Sequence, residues 1–308
     1  KIEVKGPDAE SFLMKTCAGY MAQKPGSVIY TAVLNDRGTF ESDITAQRIA
    51  PNHYRLFVGT DAIKRDFCWF TRASSGFDVT LEDSTEKYAI LSLMGPDAAR
   101  IVTECGAIEL IDLEYFKAGC AYIAGKQVRA ARMSYVGEYG WEIACLGEDA
   151  KLIFDALVTA GATPAGLYAQ TSMRIEKGFC AMRYELDGDI SPVEASLMFA
   201  VRESGGFVGH EALMGRKKNG GLSKIVSIKF MDEMAVPLGH EPIYLNGEII
   251  GQTSSCAYGF RVGKPVALGH VNTAMETGTQ VQIDIARTLY DAEITIGPLY
   301  DPNGTRMK

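Results

Sequence analysis

The chain has 308 residues, 47% hydrophobic and 22% charged, with a formal net charge of −7. That mix predicts an ordinary folded core and excludes a disordered chain. The acidic balance argues against nucleic acid or an anionic membrane surface as partner, while leaving room for a local basic pocket that holds a small anion.

The first residues, Lys1-Ile2-Glu3-Val4-Lys5, alternate like the middle of a strand. With Lys rather than Met in front, an upstream part of the fold is expected. Gly6-Pro7-Asp8 ends that strand and opens a helix with Phe12, Leu13 and Cys17 inward. Strands are predicted at 29–35, 42–50 and 53–58, then a helix near 60–72 and a strand at 88–94. That strand ends in Gly95-Pro96-Asp97, which starts another helix. The repeated strand, tight turn and helix hint at internal duplication. Strands near 121–124, 128–135 and 141–145 lead to helices at about 149–160 and 166–178.

After Gly220-Gly221 the texture changes to short alternating strands at 224–230, 248–254, 266–271, 279–284 and 287–294. Asn246-Gly247 is a strong hairpin signal among them. The whole is an α+β chain, divided into residues 1–220 and a small antiparallel barrel or sandwich over 221–308. No apolar run approaches the ~18 residues of a membrane-spanning helix. Seven scattered cysteines, with no Cys-x-x-Cys pair, read as free buried thiols of a reducing compartment.

Much familiar chemistry is missing. The four histidines, His53, His210, His240 and His270, lie far apart, and no ligand-spaced cluster suggests a metal. There is no Gly-x-Ser-x-Gly elbow, no Walker loop and no Gly-x-Gly-x-x-Gly, so neither FAD nor NAD is expected on this chain itself. What remains is carboxylates, aromatics and a cofactor brought in from outside.

The most informative segment is Ser134-Tyr135-Val136-Gly137-Glu138-Tyr139-Gly140-Trp141-Glu142-Ile143. It resembles the Tyr-x-Gly-Glu-x-Gly-x-Glu signature of the glycine-cleavage T-protein family, the aminomethyltransferases. With Ser before the Tyr and Trp before the Glu, it is similar to the dimethylglycine and sarcosine dehydrogenase branch. Supporting stretches follow in the expected order: residues 34–43, 91–96, 173–178, 191–195, and Pro298-Leu299-Tyr300-Asp301-Pro302.

The resemblance, spanning essentially the whole chain, implies a multi-lobed fold around a central tetrahydrofolate site, with the barrel as the last lobe. It implies one-carbon transfer: the methyl-derived carbon of an N-methyl amine, of dimethylglycine or sarcosine type, is captured as 5,10-methylene-tetrahydrofolate. FAD would belong to a preceding oxidase domain or subunit that forms the iminium. The expected compartment is the cytoplasm, or the mitochondrial matrix in a eukaryote. Two other readings stay open: a regulatory or assembly protein of the same fold, and a stand-alone folate-dependent demethylase.

Glu142 sits where the family's pterin-binding Glu does. Its two oxygens match the parallel donors of a reduced pterin, and strand alternation puts it opposite Trp141. The residues alone also allow a solvated hairpin Glu. Tyr135 matches a tyrosine lining the same pocket, and Gly137 and Gly140 fit a tight turn along which a flat ligand could lie. Asp43 matches the acid near the folate's reactive nitrogens, where a carboxylate accepts a proton and stabilises developing positive charge. Spacing cannot separate Asp43 from Glu41, and a strand-end Asp paired with an Arg is the plain alternative. Phe199 matches an aromatic near the ligand, with a core aromatic equally open. Glu194, after Pro192, is expected at a helix start in a structural role.

Two departures stand out. Ala169-Gln170-Thr171 replaces an Ala-Arg-Asp stretch of the T-proteins, which favours the dehydrogenase branch. Thr39 replaces the second Gly of a Gly-Gly pair ahead of Asp43, which puts a Cβ where the loop normally has none.

Overall fold

The computed structural model describes all 308 residues. It begins with β1 (Ile2–Lys5), α1 (Ala9–Thr16), β2 (Val28–Leu34), β3 (Phe40–Ala50), β4 (His53–Phe57), α2 (Ile63–Ala73) and β5 (Thr80–Asp83). The strands form an antiparallel sheet in the order β2-β3-β4-β1-β5. Ile2, Val4, Phe12, Leu13, Ile44, Leu56 and Phe70 make its core, drawn from alternate strand positions and one face of each helix.

The second lobe repeats the plan with β6 (Tyr88–Met94), α3 (Ala98–Glu104), β7 (Ala118–Ile123), β8 (Lys126–Arg132), β9 (Gly140–Leu146) and α4 (Ala150–Thr159). Its sheet runs β6-β9-β8-β7. The two Gly-Pro-Asp turns match in geometry as well as sequence. Gly6 and Gly95 both have φ 138°, and each carbonyl accepts a 3.1 Å bond from the N–H three residues on. At Gly6 a Cβ would meet the Asp78 carbonyl oxygen at 2.2 Å, so only glycine fits. Trp141, fully buried, anchors this lobe's core and donates its indole N–H to the Leu110 carbonyl at 3.1 Å.

α5 (Leu167–Glu176) leads into irregular chain and then α6 (His210–Asn219). Leu186, Phe207 and Leu213 here pack with Ala32, Leu34 and Phe40, closing the inner end of β2. The barrel is closed and antiparallel, in the order β10-β13-β12-β11-β14-β15. Its strands are β10 (Lys224–Phe230), β11 (Pro242–Leu245), β12 (Glu248–Gly259), β13 (Lys264–Val271), β14 (Gln280–Ile285) and β15 (Thr288–Thr295). Asn246 and Gly247 join β11 to β12 with φ 53° and 83°, both positive as a two-residue type I′ turn demands.

The barrel is held to α5 by buried polar contacts. Ser172 Oγ donates to the Tyr258 carbonyl at 2.6 Å. Arg174 pairs with Glu185 at 2.8 Å, and Glu185 accepts Ser254 Oγ at 2.6 Å. No helix is long and apolar enough to cross a membrane. All seven cysteines are free, but they are not all buried as expected: Cys68 and Cys120 are exposed.

Candidate functional site

The site lies where the two sheets face each other. On β3, Ile44 and Ala46 point into the first lobe's core, so Asp43, Thr45 and Gln47 point the other way. On β9, Trp141 and Ile143 point into the second lobe's core, so Glu142 points the other way. Two contacts show that these outward faces meet. Arg129 on β8 donates to Gln47 Oε1 at 3.2 Å, and Val28 on β2 packs with Ala131 on β8. Ala131 is the direct cross-strand neighbour of Glu142. Asp43 and Glu142 are thus brought to the same interlobe region, and both are half-buried.

Asp43 lies inside β3 rather than at its end, and no Arg pairs with it. Tyr30 Oη donates to its Oδ2 at 3.1 Å. Burial raises the Asp43 pKa to about 6, against the hydrogen bond from Tyr30, which favours the carboxylate. Glu41 does not share this environment. A bulge where β2 meets β3 breaks the alternation at 41, and Glu41 reaches Arg65 at 3.7 Å instead.

Burial alone pushes the Glu142 carboxyl above the usual range, with no neighbouring charge or hydrogen bond to oppose it. Tyr135 falls outside the strand expected over 128–135, because β8 stops at Arg132. It sits in a loop organised by Ser134, whose Oγ accepts the N–H groups of Val136, Gly137 and Glu138 at 3.0–3.3 Å. Its ring stacks on Phe179 at 6.1 Å, and its hydroxyl donates to the Cys180 carbonyl at 2.8 Å. The glycines of this loop serve protein contacts rather than a ligand's. A Cβ on Gly140 would strike the Leu93 carbonyl oxygen at 2.0 Å, and one on Gly137 the Lys177 side chain at 2.8 Å.

Phe199 is not a core aromatic. It is 73% exposed and stacks on Tyr30 at 6.1 Å, with 26° between the rings. The two rings line a groove of about 360 Å³ shared with Tyr20, Tyr115, Phe116 and Lys117. Neither Asp43, Tyr135 nor Glu142 lines it, yet both acids border it. Tyr30 spans from the groove to Asp43, and Val28 and Phe116 rest on Ala131 beside Glu142.

Thr39 fits without disturbing the loop: it is fully buried and donates its hydroxyl to the Gly188 carbonyl at 2.6 Å. Glu194 starts no helix. It accepts the Ser191 N–H at 2.9 Å, the Leu222 N–H at 3.0 Å and Arg216 at 3.1 Å, tying the chain after α6 to the 191–197 turn. Sequence reasoning missed Tyr30 and Arg261. Tyr30 is marked only by strand register, which places it one diagonal step from Asp43. Arg261 follows β12 and reaches the Val136 carbonyl at 3.0 Å and Glu138 at 3.1 Å.

The model of the GCVT N-terminal domain matches residues 1–204, and that of the glycine cleavage T-protein C-terminal barrel domain matches 224–301. An aminomethyltransferase of Bacillus velezensis is 31% identical, over 97% of this chain and 84% of that protein. The mitochondrial dimethylglycine dehydrogenase of Rattus norvegicus is 28% identical over 100% of this chain, which spans 37% of the dehydrogenase. The crystal structure of the glycine cleavage system aminomethyltransferase T from Bartonella henselae superposes with a TM-score of 0.89 over 98% of this chain and 84% of that one. At 24% identity that likeness shows a common fold. By its two matched domains and its relatives, the chain belongs to the glycine cleavage T-protein family, the aminomethyltransferases.

Proposed function

We propose that the chain binds tetrahydrofolate between its two sheets and joins to it the one-carbon unit of an N-methyl amine of dimethylglycine or sarcosine type, giving 5,10-methylene-tetrahydrofolate. The observation that carries this reading is the pair of sequestered acids, Asp43 and Glu142, on facing strand faces with no basic partner. A buried carboxylate without a donor is costly, and a ligand offering two parallel N–H groups relieves that cost at Glu142. Tetrahydrofolate supplies a nucleophilic ring nitrogen. Asp43, with a pKa near the working range, accepts the proton that the nitrogen sheds and offsets the positive charge that develops.

Residues 1–308 supply no dinucleotide-binding motif, so a flavin-dependent partner domain or subunit would form the iminium. The full coverage by dimethylglycine dehydrogenase supports that arrangement. The 31% identity with an aminomethyltransferase supports a second reading, in which the carbon arrives on an aminomethyl donor and no flavin takes part.

The decisive measurement is tetrahydrofolate affinity of the wild type and of Glu142→Ala. Unchanged affinity in the variant would refute the site. Product formation from dimethylglycine or sarcosine with an added flavoprotein, against formation from an aminomethyl donor, separates the two donors.

A further inference from the structure

We propose that residues 301–308 form a latch on the Tyr115 wall of the groove, and that its release lets that wall move aside while a ligand enters or leaves. The inference takes its ligand from the folate reading, but it stands on how this segment is attached.

The chain is tied to the body of the protein as far as Tyr300. There the N–H groups of Leu299 and Tyr300 donate to the Glu176 carbonyl at 3.0 and 2.9 Å. Beyond it, no backbone–backbone hydrogen bond leaves the segment. The one that 301–308 makes, from the Gly304 N–H to the Asp301 carbonyl at 3.0 Å, is internal. Of residues 302–308, Gly304 alone is buried, and Met307 is half-buried. A piece of chain with so few apolar contacts, and no ladder to break, opens without the rest of the fold.

Asp301 holds the segment together and also holds it down. Its carboxylate accepts the Thr305 N–H at 3.0 Å, the Thr305 hydroxyl at 2.7 Å and the Arg306 N–H at 3.1 Å, which closes 301–306 into a turn. The same carboxylate pairs with Lys177 at 2.8 Å, and both side chains are shielded from water. Lys177 donates to the Asp301 carbonyl as well, and its stem lies against the Tyr135 loop, where a Cβ on Gly137 would meet it at 2.8 Å.

The far end of the segment reaches the groove. Tyr115, one of the lining residues, donates its hydroxyl to Met307 Sδ at 3.8 Å. Tyr115 lies in the turn ahead of β7 and makes no backbone–backbone hydrogen bond of its own. Its ring is therefore placed by side chains: Phe116 edge-on at 4.6 Å, Arg132 at 5.8 Å and Met307. A thioether is a weak acceptor, so this contact breaks easily. No residue of 301–308 itself lines the groove. A latch that touches the wall but not the ligand closes equally over an empty and an occupied site. It slows entry and exit by the same factor and leaves affinity alone.

The test measures tetrahydrofolate association and dissociation by stopped flow in the wild type, Met307→Ala, Arg306→Gln and Asp301→Asn. Met307→Ala should raise both rates together, by about threefold to tenfold, with Kd held within about twofold. Arg306→Gln, which unhooks the segment from Tyr300 Oη at 2.8 Å, should act in the same direction. Both keep the Lys177 pair, so they decide the matter even if Asp301→Asn does not fold; where it folds, it should show the largest rise. Amide exchange without ligand supplies the second readout: the N–H groups of Gly304, Thr305 and Arg306 should exchange faster in Met307→Ala. A rise in dissociation alone, wild-type rates in all the variants, or unchanged exchange of those three amides overturns the latch. If the wild type fails to bind tetrahydrofolate at all, the folate reading falls, and amide exchange still judges the segment.

Discussion

Tyr30 and Asp43 stand diagonally across neighbouring strands, Tyr30 opposite Thr45 and Asp43 opposite Ala32, and the phenol donates a 3.1 Å hydrogen bond to the carboxylate. That bond favours the charged form of an acid that burial otherwise pushes toward neutrality. A hydrogen bond to a charged group is worth about 1.5–3 kcal/mol, or roughly one to two pKa units. Tyr30→Phe should therefore move the ascending limb of the pH–kcat profile upward by about that amount. A limb that does not move would mean Asp43 is not the group being titrated.

Asp43→Asn removes the acid and should remove that limb, leaving a flat, low profile reduced by about a hundredfold or more, the usual worth of a general base. Stability should change in the opposite sense. The folded pKa, about 6, lies above the unfolded one. The wild type thus loses stability as pH rises through the unfolded carboxylate range, and the loss is complete above about pH 6. The asparagine variant escapes that loss. At pH 7.5 it should be more stable by about 3 kcal/mol, and at pH 3 by nothing. Chemical denaturation of both proteins at the two pH values reads this directly.

Glu142→Gln should separate binding from folding even more sharply. Burial alone raises this carboxyl, so its charged form costs stability at neutral pH and nothing in the protein offsets the cost. The amide keeps the shape but can present only one acceptor to a paired donor. Tetrahydrofolate affinity should fall by about tenfold to a hundredfold while the thermal midpoint stays level or rises. A lower midpoint together with full affinity would show that Glu142 serves the fold and not the ligand.

Much of the frame was legible because burial writes itself into alternation. β2, β3, β6 and β10 lie within two residues of their expected ends, and Asn246-Gly247 turns a hairpin. The elements that escaped have weak patterns. β5 reads Thr-Leu-Glu-Asp with exposed ends, β11 is four residues opened by a proline, and α6 ends in Arg216-Lys217-Lys218-Asn219 with only Leu213 buried. Of the site, the opposite facing of Trp141 and Glu142 followed from period two, since one bulky apolar residue fixes the face of its neighbour, while the choice of Glu142 and Asp43 themselves rested on the family resemblance. The surroundings did not follow. That Glu41 is diverted depends on a bulge, and that Tyr30 touches Asp43 depends on register. That Glu138, inside the most informative motif, turns to Arg261 depends on how the barrel docks. Such pairings across long separations have no local pattern.

Arg261 supplies the clearest prediction about how the barrel serves the site. Its Nε donates to Glu176 at 2.6 Å, its guanidinium also reaches the carbonyls of Met173 at 2.7 Å and Val136 at 3.0 Å, and it pairs with Glu138 at 3.1 Å. Glu176 is fully buried. Arg261→Ala leaves that carboxylate with only the backbone N–H groups of residues 261 and 262, and should cost about 3 kcal/mol or more of stability, as when one partner of a buried pair is removed. The same change frees one wall of the loop that carries Tyr135, so ligand affinity should fall as well. Glu138→Gln distinguishes the two effects: it spares Glu176 and loosens the links from Arg261, Tyr300 and Arg306 to the loop. Its thermal midpoint should drop by only a few degrees, with tetrahydrofolate affinity reduced several-fold. Should Arg261→Ala lose stability while Glu138→Gln binds as the wild type does, the Ser134-centred turn holds the loop unaided, and the barrel acts on the fold but not on the site.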